Sequence, residues 1–173
     1  MEPIAPADHP AYMRHALSLA EKSPPRPSNF RVGAVLVDAA SGRILADGFT
    51  LELHGNTHAE QCCFMKLAAQ HGVAEEDLSA LPLTALPAQL ALYTTMEPCS
   101  LRLSGNDPCV ARVLRLAGHQ RSVTVYVGVT EPDKFVAQNT GRSTLEAAGI
   151  HVVHVPGLET AILDVATAGH EEK

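Results

Sequence analysis

Three observations predict an α/β fold with a mixed five-stranded sheet and helices on both of its faces. Five short, largely apolar segments are separated by stretches whose apolar residues repeat with helical periodicity. The first two of these strands flank the turn Ser41-Gly42, which indicates an antiparallel hairpin. The later strands alternate with helices, as in sheets built by parallel crossover connections. The predicted order is α-β-β-α-β-α-β-α-β-α.

Each predicted element has a local cause. The first helix has apolar residues on one face, and the three prolines between Ser23 and Asn29 end it, because proline lacks an amide donor and disfavours helical geometry before it. Gly72, Gly118 and Gly149 end three later helices. The predicted helices span 9–22, 58–70, 107–117, 141–148 and 158–168, and the predicted strands span 32–37, 43–49, 90–95, 122–129 and 150–155. Residues 73–88 are predicted to form a surface connection with one short turn.

Length and composition predict a single domain over residues 1–173, with a core at about 29–155 between terminal helices. No apolar run approaches the roughly 18–20 residues of a membrane span, so we expect no membrane partner. The acidic, proline-rich start is unlike a secretory signal, so we expect a cytoplasmic protein, with a nuclear pool also compatible. A net charge of −6, with only three Tyr and four Phe, disfavours a nucleic-acid partner.

Two short segments carry residues suited to metal chemistry. His58 and Glu60 open a predicted helix, and Cys99 follows a predicted strand ten residues before Cys109. One nitrogen and two sulfur ligands suit zinc, and three protein ligands leave a fourth position for water, as in catalytic sites. Zinc lowers the pKa of bound water to about 7, so that the water can attack an amidine-like carbon. Glu60 is placed to move the water's proton to the departing amine.

The same residues also have purely structural interpretations. Thr57 and Glu60 fit a capping box, in which the Glu60 carboxylate returns to the Thr57 N–H. Asp107 as N-cap and Pro108 as first helical residue put Cys109 at a helix N-terminus, where the dipole favours a thiolate. A histidine at a helix start and a buried thiol are ordinary features when each is taken alone.

The combined pattern resembles the zinc nucleobase deaminases of the cytidine-deaminase-like superfamily. His58-Ala59-Glu60, then Pro98-Cys99 after a strand and Pro108-Cys109 opening a helix, is the pattern of that superfamily. Its usual spacing is Cys-x-x-Cys, whereas nine residues, 100–108, separate the cysteines of this chain. The resemblance implies a three-layer α/β/α cytidine-deaminase-like fold, Zn²⁺ held by His58, Cys99 and Cys109, and Glu60 as the proton shuttle.

Within that superfamily the chain is similar to the pyrimidine deaminases of riboflavin biosynthesis, and especially to the fungal ones. The resemblance implies hydrolytic removal of the 2-amino group of 2,5-diamino-6-ribitylamino-4(3H)-pyrimidinone 5′-phosphate, with zinc-activated water attacking ring C2. Leu101 stands where bacterial relatives usually carry a histidine. The stretches that carry the likeness are Asn29 to Val35, His58 to Glu60, Thr95 to Ser100, Leu103 to Asn106 with Pro108-Cys109, and Thr130-Glu131-Pro132 through Val136 to Gly141.

The resemblance also implies that Asn29 hydrogen-bonds the substrate and that the backbone around Ala59 and Cys99 holds the edge of the ring. The crevice is expected at the loops after Phe49 and Thr95. For the ribityl phosphate we expect Arg102, Ser104 and Asn106 from the loop between the cysteines, and Arg26 from the proline-rich loop before Asn29. His54 is expected to reach the mouth of the crevice from the loop before the second helix. A homodimer is expected by analogy with related deaminases.

Two other functions stay open at this stage. A deaminase of cytosine, a free nucleoside, guanine or tRNA adenosine would share the zinc motif, although the negative charge disfavours RNA. A non-catalytic zinc-stabilised module would need a fourth protein ligand. Neither Cys62 nor Cys63 is spaced to supply one, so we expect both to be packing residues.

Overall fold

The computed structural model describes residues 4–132 and 138–171. Its elements confirm the predicted order, with ends that differ by at most two residues, and the predicted turn in 73–88 is a 3-10 helix, Glu75–Ala80. No helix within these described ranges is long and apolar enough to cross a membrane. The helices are α1 His9–Ala20, α2 Ala59–His71, α3 Cys109–Ala117, α4 Gly141–Ala147 and α5 Glu159–Thr167, and the strands are β1 Gly33–Asp38, β2 Ile44–Phe49, β3 Gln89–Met96, β4 Ser122–Val129 and β5 His151–His154.

The five strands form one mixed sheet in the order β2-β1-β3-β4-β5. Strand β1 is antiparallel to both β2 and β3, whereas β3, β4 and β5 are parallel. Gly33 pairs with Phe49 and Ala34 pairs with Thr94. The start of β1 and the ends of β2 and β3 therefore meet at one end of the sheet, where the loops predicted to border a crevice converge.

Alternating side chains of the strands supply two separate cores, one on each face of the sheet. On β1, Ala34 and Leu36 belong to the core that includes residues of α2 and α3. Val35 and Val37 face the other way, into the core with residues of α1 and α5. This period-two alternation places helices on both faces and confirms the three-layer prediction.

A close approach of α2 to β2 fixes where the second helix begins. A Cβ atom at Gly48 would lie 2.5 Å from the Ala59 carbonyl oxygen and 2.6 Å from the Cys63 nitrogen, so a larger residue there would push the helix away. Cys62 and Cys63 are fully buried in this contact region, as predicted for packing residues. The packing holds the first turn of α2 at the end of the sheet where the loops converge.

Candidate active site

One histidine and two cysteine side chains meet at the converging end of the sheet. His58 Nδ1 lies 3.5 Å from both Cys99 Sγ and Cys109 Sγ, and the three ligand atoms all lie within 4.8 Å of one another. Tetrahedral zinc, with Zn–S near 2.3 Å and Zn–N near 2.0–2.1 Å, separates nitrogen and sulfur ligands by about 3.5 Å. The donor types and their spacing therefore fit zinc.

Three different elements bring these ligands together. His58 is the extended residue that precedes α2, Cys99 follows β3, and Cys109 is the first residue of α3. The Cys109 backbone N–H donates to Cys99 Sγ at 3.4 Å, so the open amide at the start of α3 holds the sulfur that follows β3. The nine residues between the cysteines thus leave the two sulfurs side by side.

The prediction that Asp107 is the N-cap of α3 is wrong. Helix α3 begins at Cys109, and Pro108 before it has extended backbone angles, φ −68° and ψ 157°. Asp107 therefore lies outside the helix, and its carboxylate accepts a hydrogen bond from Arg115 Nη2 at 2.6 Å. Because proline has no N–H, the first amide of the helix is that of Cys109, which donates to Cys99 Sγ.

The two sulfur ligands differ in their affinity for a proton. The adjacent Cys109 side chain, together with the His58 ring, lowers the pKa of Cys99 to about 4. That same contact, followed by burial and the nearby Glu60 carboxylate, raises the pKa of Cys109. The pair shares a proton that a divalent cation would displace, because thiolates are the metal-binding form.

The Glu60 carboxyl group is buried beside this cluster, with 3% of the residue exposed. Its Oε1 accepts a hydrogen bond from Thr94 Oγ1, and its Oε2 accepts one from Cys109 Sγ, both at 3.2 Å. Burial, and next the negative charge of Cys99, raise the pKa of Glu60. The neutral form of this group is therefore accessible, as a side chain that both accepts and returns a proton requires.

The capping-box interpretation of Glu60 is wrong. The residue at the cap position is His58, and its backbone N–H donates to Gln61 Oε1 at 3.4 Å. Gln61 therefore makes the side-chain contact of the capping box with the His58 N–H, one residue later than the sequence pattern indicated. Because side chains of successive helical residues point about 100° apart, Glu60 is left facing the sulfur cluster.

A cavity of about 170 Å³ opens above the cluster. Among the predicted substrate contacts, Asn29, Ala59, Arg102 and Ser104 line it, as do all three donor residues and Glu60. The remaining candidates have exposed side chains and do not belong to the wall; they are Arg26, His54 and Asn106. Their role in binding stays a prediction.

A chain of hydrogen bonds ties the cavity wall to the start of α2. Asn29 Nδ2 donates to Asn56 Oδ1 at 2.9 Å, and the Arg102 guanidinium donates to the Asn56 carbonyl oxygen and to Gln61 Oε1, the latter at 2.9 Å. Gln61 in turn accepts from the His58 N–H. Sequence reasoning missed Asn56 and Gln61, because they act through contacts between segments far apart in the chain.

Comparison with known proteins identifies the family. The model of the cytidine and deoxycytidylate deaminase zinc-binding region matches residues 6–126, which include all three donor residues and Glu60. The chain belongs to this zinc-binding deaminase family. The predicted deaminase superfamily and zinc cofactor are thereby confirmed, and His58, Cys99 and Cys109 form a cluster that could hold the metal.

Two named deaminases are similar to the chain over almost its whole length. The diaminohydroxyphosphoribosylamino-pyrimidine deaminase of Schizosaccharomyces pombe is 36% identical over 170 residues, which are 98% of this chain and 38% of that protein. The crystal structure of Aspergillus oryzae Rib2 deaminase is 48% identical, with a TM-score of 0.83 over 94% of this chain and 92% of that one. The same Aspergillus deaminase has been crystallised in complex with DARIPP.

A bifunctional deaminase/reductase of Thermotoga maritima also matches in structure. It is 27% identical, with a TM-score of 0.67 over 91% of this chain and 39% of that one. The chain thus spans less than half the length of both the Schizosaccharomyces and the Thermotoga proteins.

Two polar atoms in the cavity are buried without a hydrogen-bond partner among the described residues. They are Arg102 Nε and Glu131 Oε2, and both residues line the cavity. Burial, followed by the charge of Cys99, raises the pKa of Glu131 to about 7. Glu131 follows β4, next to β3 at the carboxyl end of the parallel strands, which is where ligands bind in such sheets. The sequence could have marked Glu131 as a site residue, because it follows a strand predicted to lie in the parallel part of the sheet. Val136, in the same stretch, lies outside the described residues.

Proposed function

We propose that the chain catalyses the hydrolytic removal of the 2-amino group from 2,5-diamino-6-ribitylamino-4(3H)-pyrimidinone 5′-phosphate, a step of riboflavin biosynthesis. The observation that carries the proposal is the buried Glu60 carboxyl beside the zinc ligands at the floor of a cavity. The relatives named for pyrimidine deamination, and the Aspergillus complex with DARIPP, support this substrate class.

The reaction adds water to ring C2 and releases ammonia, leaving a carbonyl at C2. When bound, zinc activates the attacking water by lowering its pKa. Glu60 accepts the proton from that water and delivers it to the departing 2-amino group, so that it ends the cycle in its starting state. A single carboxyl group serves both transfers because its two oxygens lie at the cavity floor.

Thr94 can keep contact with Glu60 in both of its protonation states. The Thr94 hydroxyl lies 3.2 Å from Glu60 Oε1 and 2.9 Å from the Met96 carbonyl oxygen. It has one hydrogen to donate and can also accept one. The hydroxyl donates to the carboxylate form, whereas it accepts from protonated Glu60 and turns its own hydrogen to Met96.

The cavity wall offers groups that complement a phosphorylated diaminopyrimidine. Arg102 is the one Lys or Arg among the described residues that line the cavity, and its unpartnered Nε can donate to a phosphate or ribityl oxygen. Asn29 and the unpartnered oxygen of Glu131 can accept from ring amino groups. Leaving either buried atom unpaired costs free energy, so a ligand that pairs both is favoured.

The direct test is turnover by the zinc-loaded protein. Ammonia release and product mass would be measured for the ribitylamino-pyrimidine phosphate, its phosphoribosylamino counterpart, the dephosphorylated pyrimidine, cytidine, dCMP and guanine. We expect kcat/KM for the ribitylamino-pyrimidine phosphate to exceed that for cytidine, dCMP and guanine by at least about 100-fold, because a site built of hydrogen-bonding groups rejects ligands that leave them unpaired.

The panel also separates the competing functions. Higher kcat/KM for cytidine, dCMP or guanine would show that the substrate assignment is wrong while leaving zinc deamination intact. No turnover of any compound by protein containing one zinc per chain would instead favour a non-catalytic module.

A further inference from the structure

The side chain of Asn139 forms hydrogen bonds with the residues on both sides of the zinc ligand Cys99. Asn139 Nδ2 donates to the Pro98 carbonyl oxygen, and Asn139 Oδ1 accepts from the Ser100 backbone N–H, both at 3.1 Å. These two partners are the residues immediately before and after Cys99. One amide group thus satisfies two backbone groups of the ligand loop and fixes the peptides on either side of the sulfur-bearing residue.

Asn139 is itself anchored to the start of α4. Its Oδ1 also accepts from the Gly141 N–H at 2.8 Å. A Cβ atom at Gly141 would lie 2.2 Å from the Pro98 carbonyl oxygen, so glycine permits the helix to lie directly against the ligand loop. The first turn of α4 therefore packs against the ligand loop and holds the Asn139 side chain in place.

Two further hydrogen bonds join the same segments. The Thr140 N–H donates to Ser100 Oγ at 3.1 Å, and the Arg142 N–H donates to Glu97 Oε1 at 3.0 Å. All of these contacts hold residues 97–100 without touching Cys99 Sγ itself. They leave the sulfur free to bind metal while restricting the backbone that aims it.

We propose that Asn139 is a positioning residue of the zinc site, which orders the Pro98-Cys99-Ser100 loop so that Cys99 Sγ is held at ligand distance from His58 and Cys109. When a ligand side chain is ordered before the metal binds, less conformational entropy is lost on binding. Substitution of a residue that orients a metal ligand typically weakens metal affinity about 10- to 100-fold. Asn139 lies outside the region that the family model matches. The proposal goes beyond the substrate assignment, because it concerns zinc binding alone.

The test measures zinc affinity by competition with a chromophoric chelator, which needs no substrate and is therefore independent of the proposed deamination. Asn139→Ala is expected to weaken zinc binding by about 10- to 100-fold. The matched control is Ser143→Ala, which removes a hydrogen bond to the Thr140 carbonyl oxygen in the same helical turn but none to the ligand loop. We expect its zinc affinity to equal that of the unsubstituted protein.

Thermal unfolding with and without chelator separates positioning from general stabilisation. A positioning role predicts that Asn139→Ala narrows the Tm difference between zinc-loaded and zinc-free protein, since the stabilisation by a ligand follows its affinity. An equal fall of both Tm values, with unchanged zinc affinity, would overturn the proposal.

Ser100→Ala provides a milder variant if Asn139→Ala does not fold. It removes only the side-chain acceptor for the Thr140 N–H. Loss of this one hydrogen bond is expected to weaken zinc binding about 2- to 5-fold. Zinc affinity equal to that of Ser143→Ala would show that the contact between Thr140 and Ser100 does not order the ligand loop, and would count against the proposal that this segment positions Cys99.

Discussion

The floor and the wall of the cavity are built in different ways. The floor consists of His58, Glu60, Cys99 and Cys109, which stand at the starts of two helices and beyond a central strand. The wall is built largely from loops, and its polar side chains Asn29 and Arg102 are held by a few hydrogen bonds. Regular elements packed on both faces of a sheet fix the floor more tightly than side-chain contacts fix a loop. We therefore expect floor substitutions to change the chemical step and wall substitutions to change substrate binding.

The largest effect is expected for Glu60→Gln, which keeps the shape of the floor residue but removes its ability to transfer a proton. We expect kcat to fall by about 10²- to 10⁴-fold, the usual contribution of general acid–base catalysis. Zinc content is expected to stay at that of the unsubstituted protein, because Glu60 does not belong to the cluster of donor atoms. Steady-state kinetics and metal analysis on the same preparation check both statements.

Glu76→Gln is a suitable control, because its carboxylate lies outside the cavity on the 3-10 helix and is 69% exposed. It is expected to leave kcat unchanged. Near-normal turnover by Glu60→Gln would show that Glu60 is not the proton shuttle, even if the substrate assignment is correct.

A smaller effect, on KM rather than kcat, is expected for Arg102→Ala in the wall. The substitution removes the cavity guanidinium, so KM for the phosphorylated substrate is expected to rise by about 10-fold or more, as for the loss of a hydrogen bond to a charged group. KM for the dephosphorylated pyrimidine is expected to rise less. The ratio of the two KM values is the measurement that tests contact with phosphate.

Arg14→Ala controls for the change in net charge, since Arg14 is exposed on α1. It is expected to leave both KM values unchanged. Equal increases for the two substrates in Arg102→Ala would mean that Arg102 acts by holding Asn56 and Gln61 in place rather than by contacting phosphate.

The contrast between floor and wall also explains what the sequence alone could predict. His58, Glu60, Cys99 and Cys109 have residue types and positions that suit zinc chemistry, and their place at helix starts and after a strand follows from local patterns. The hairpin and the parallel strands were predictable for the same reason, because turn residues and periodicity are local signals.

The wall was less predictable because its contacts join distant segments. Asn56 and Gln61 lie 46 and 41 residues from Arg102, and no local pattern predicts that Arg102 forms hydrogen bonds with both. Arg102 lies in the loop between the two cysteines, yet only 6% of it is exposed. The start of α3 shows a further limit, since proline at position 108 fits either the N-cap or the first helical position.

The smallest effects are expected inside the loop between the two cysteines, where Ser104 and Asn106 form a matched pair. Ser104 lines the cavity, whereas Asn106, two residues later, is exposed and outside its wall. We expect Ser104→Ala to raise KM about 2- to 5-fold through loss of one hydrogen bond, and Asn106→Ala to change it by less than about 2-fold. Steady-state kinetics with the phosphorylated substrate compares the two. A larger effect for Asn106→Ala than for Ser104→Ala would show that the loop refolds around the bound ligand, so that the wall seen without substrate is not the wall that recognises it.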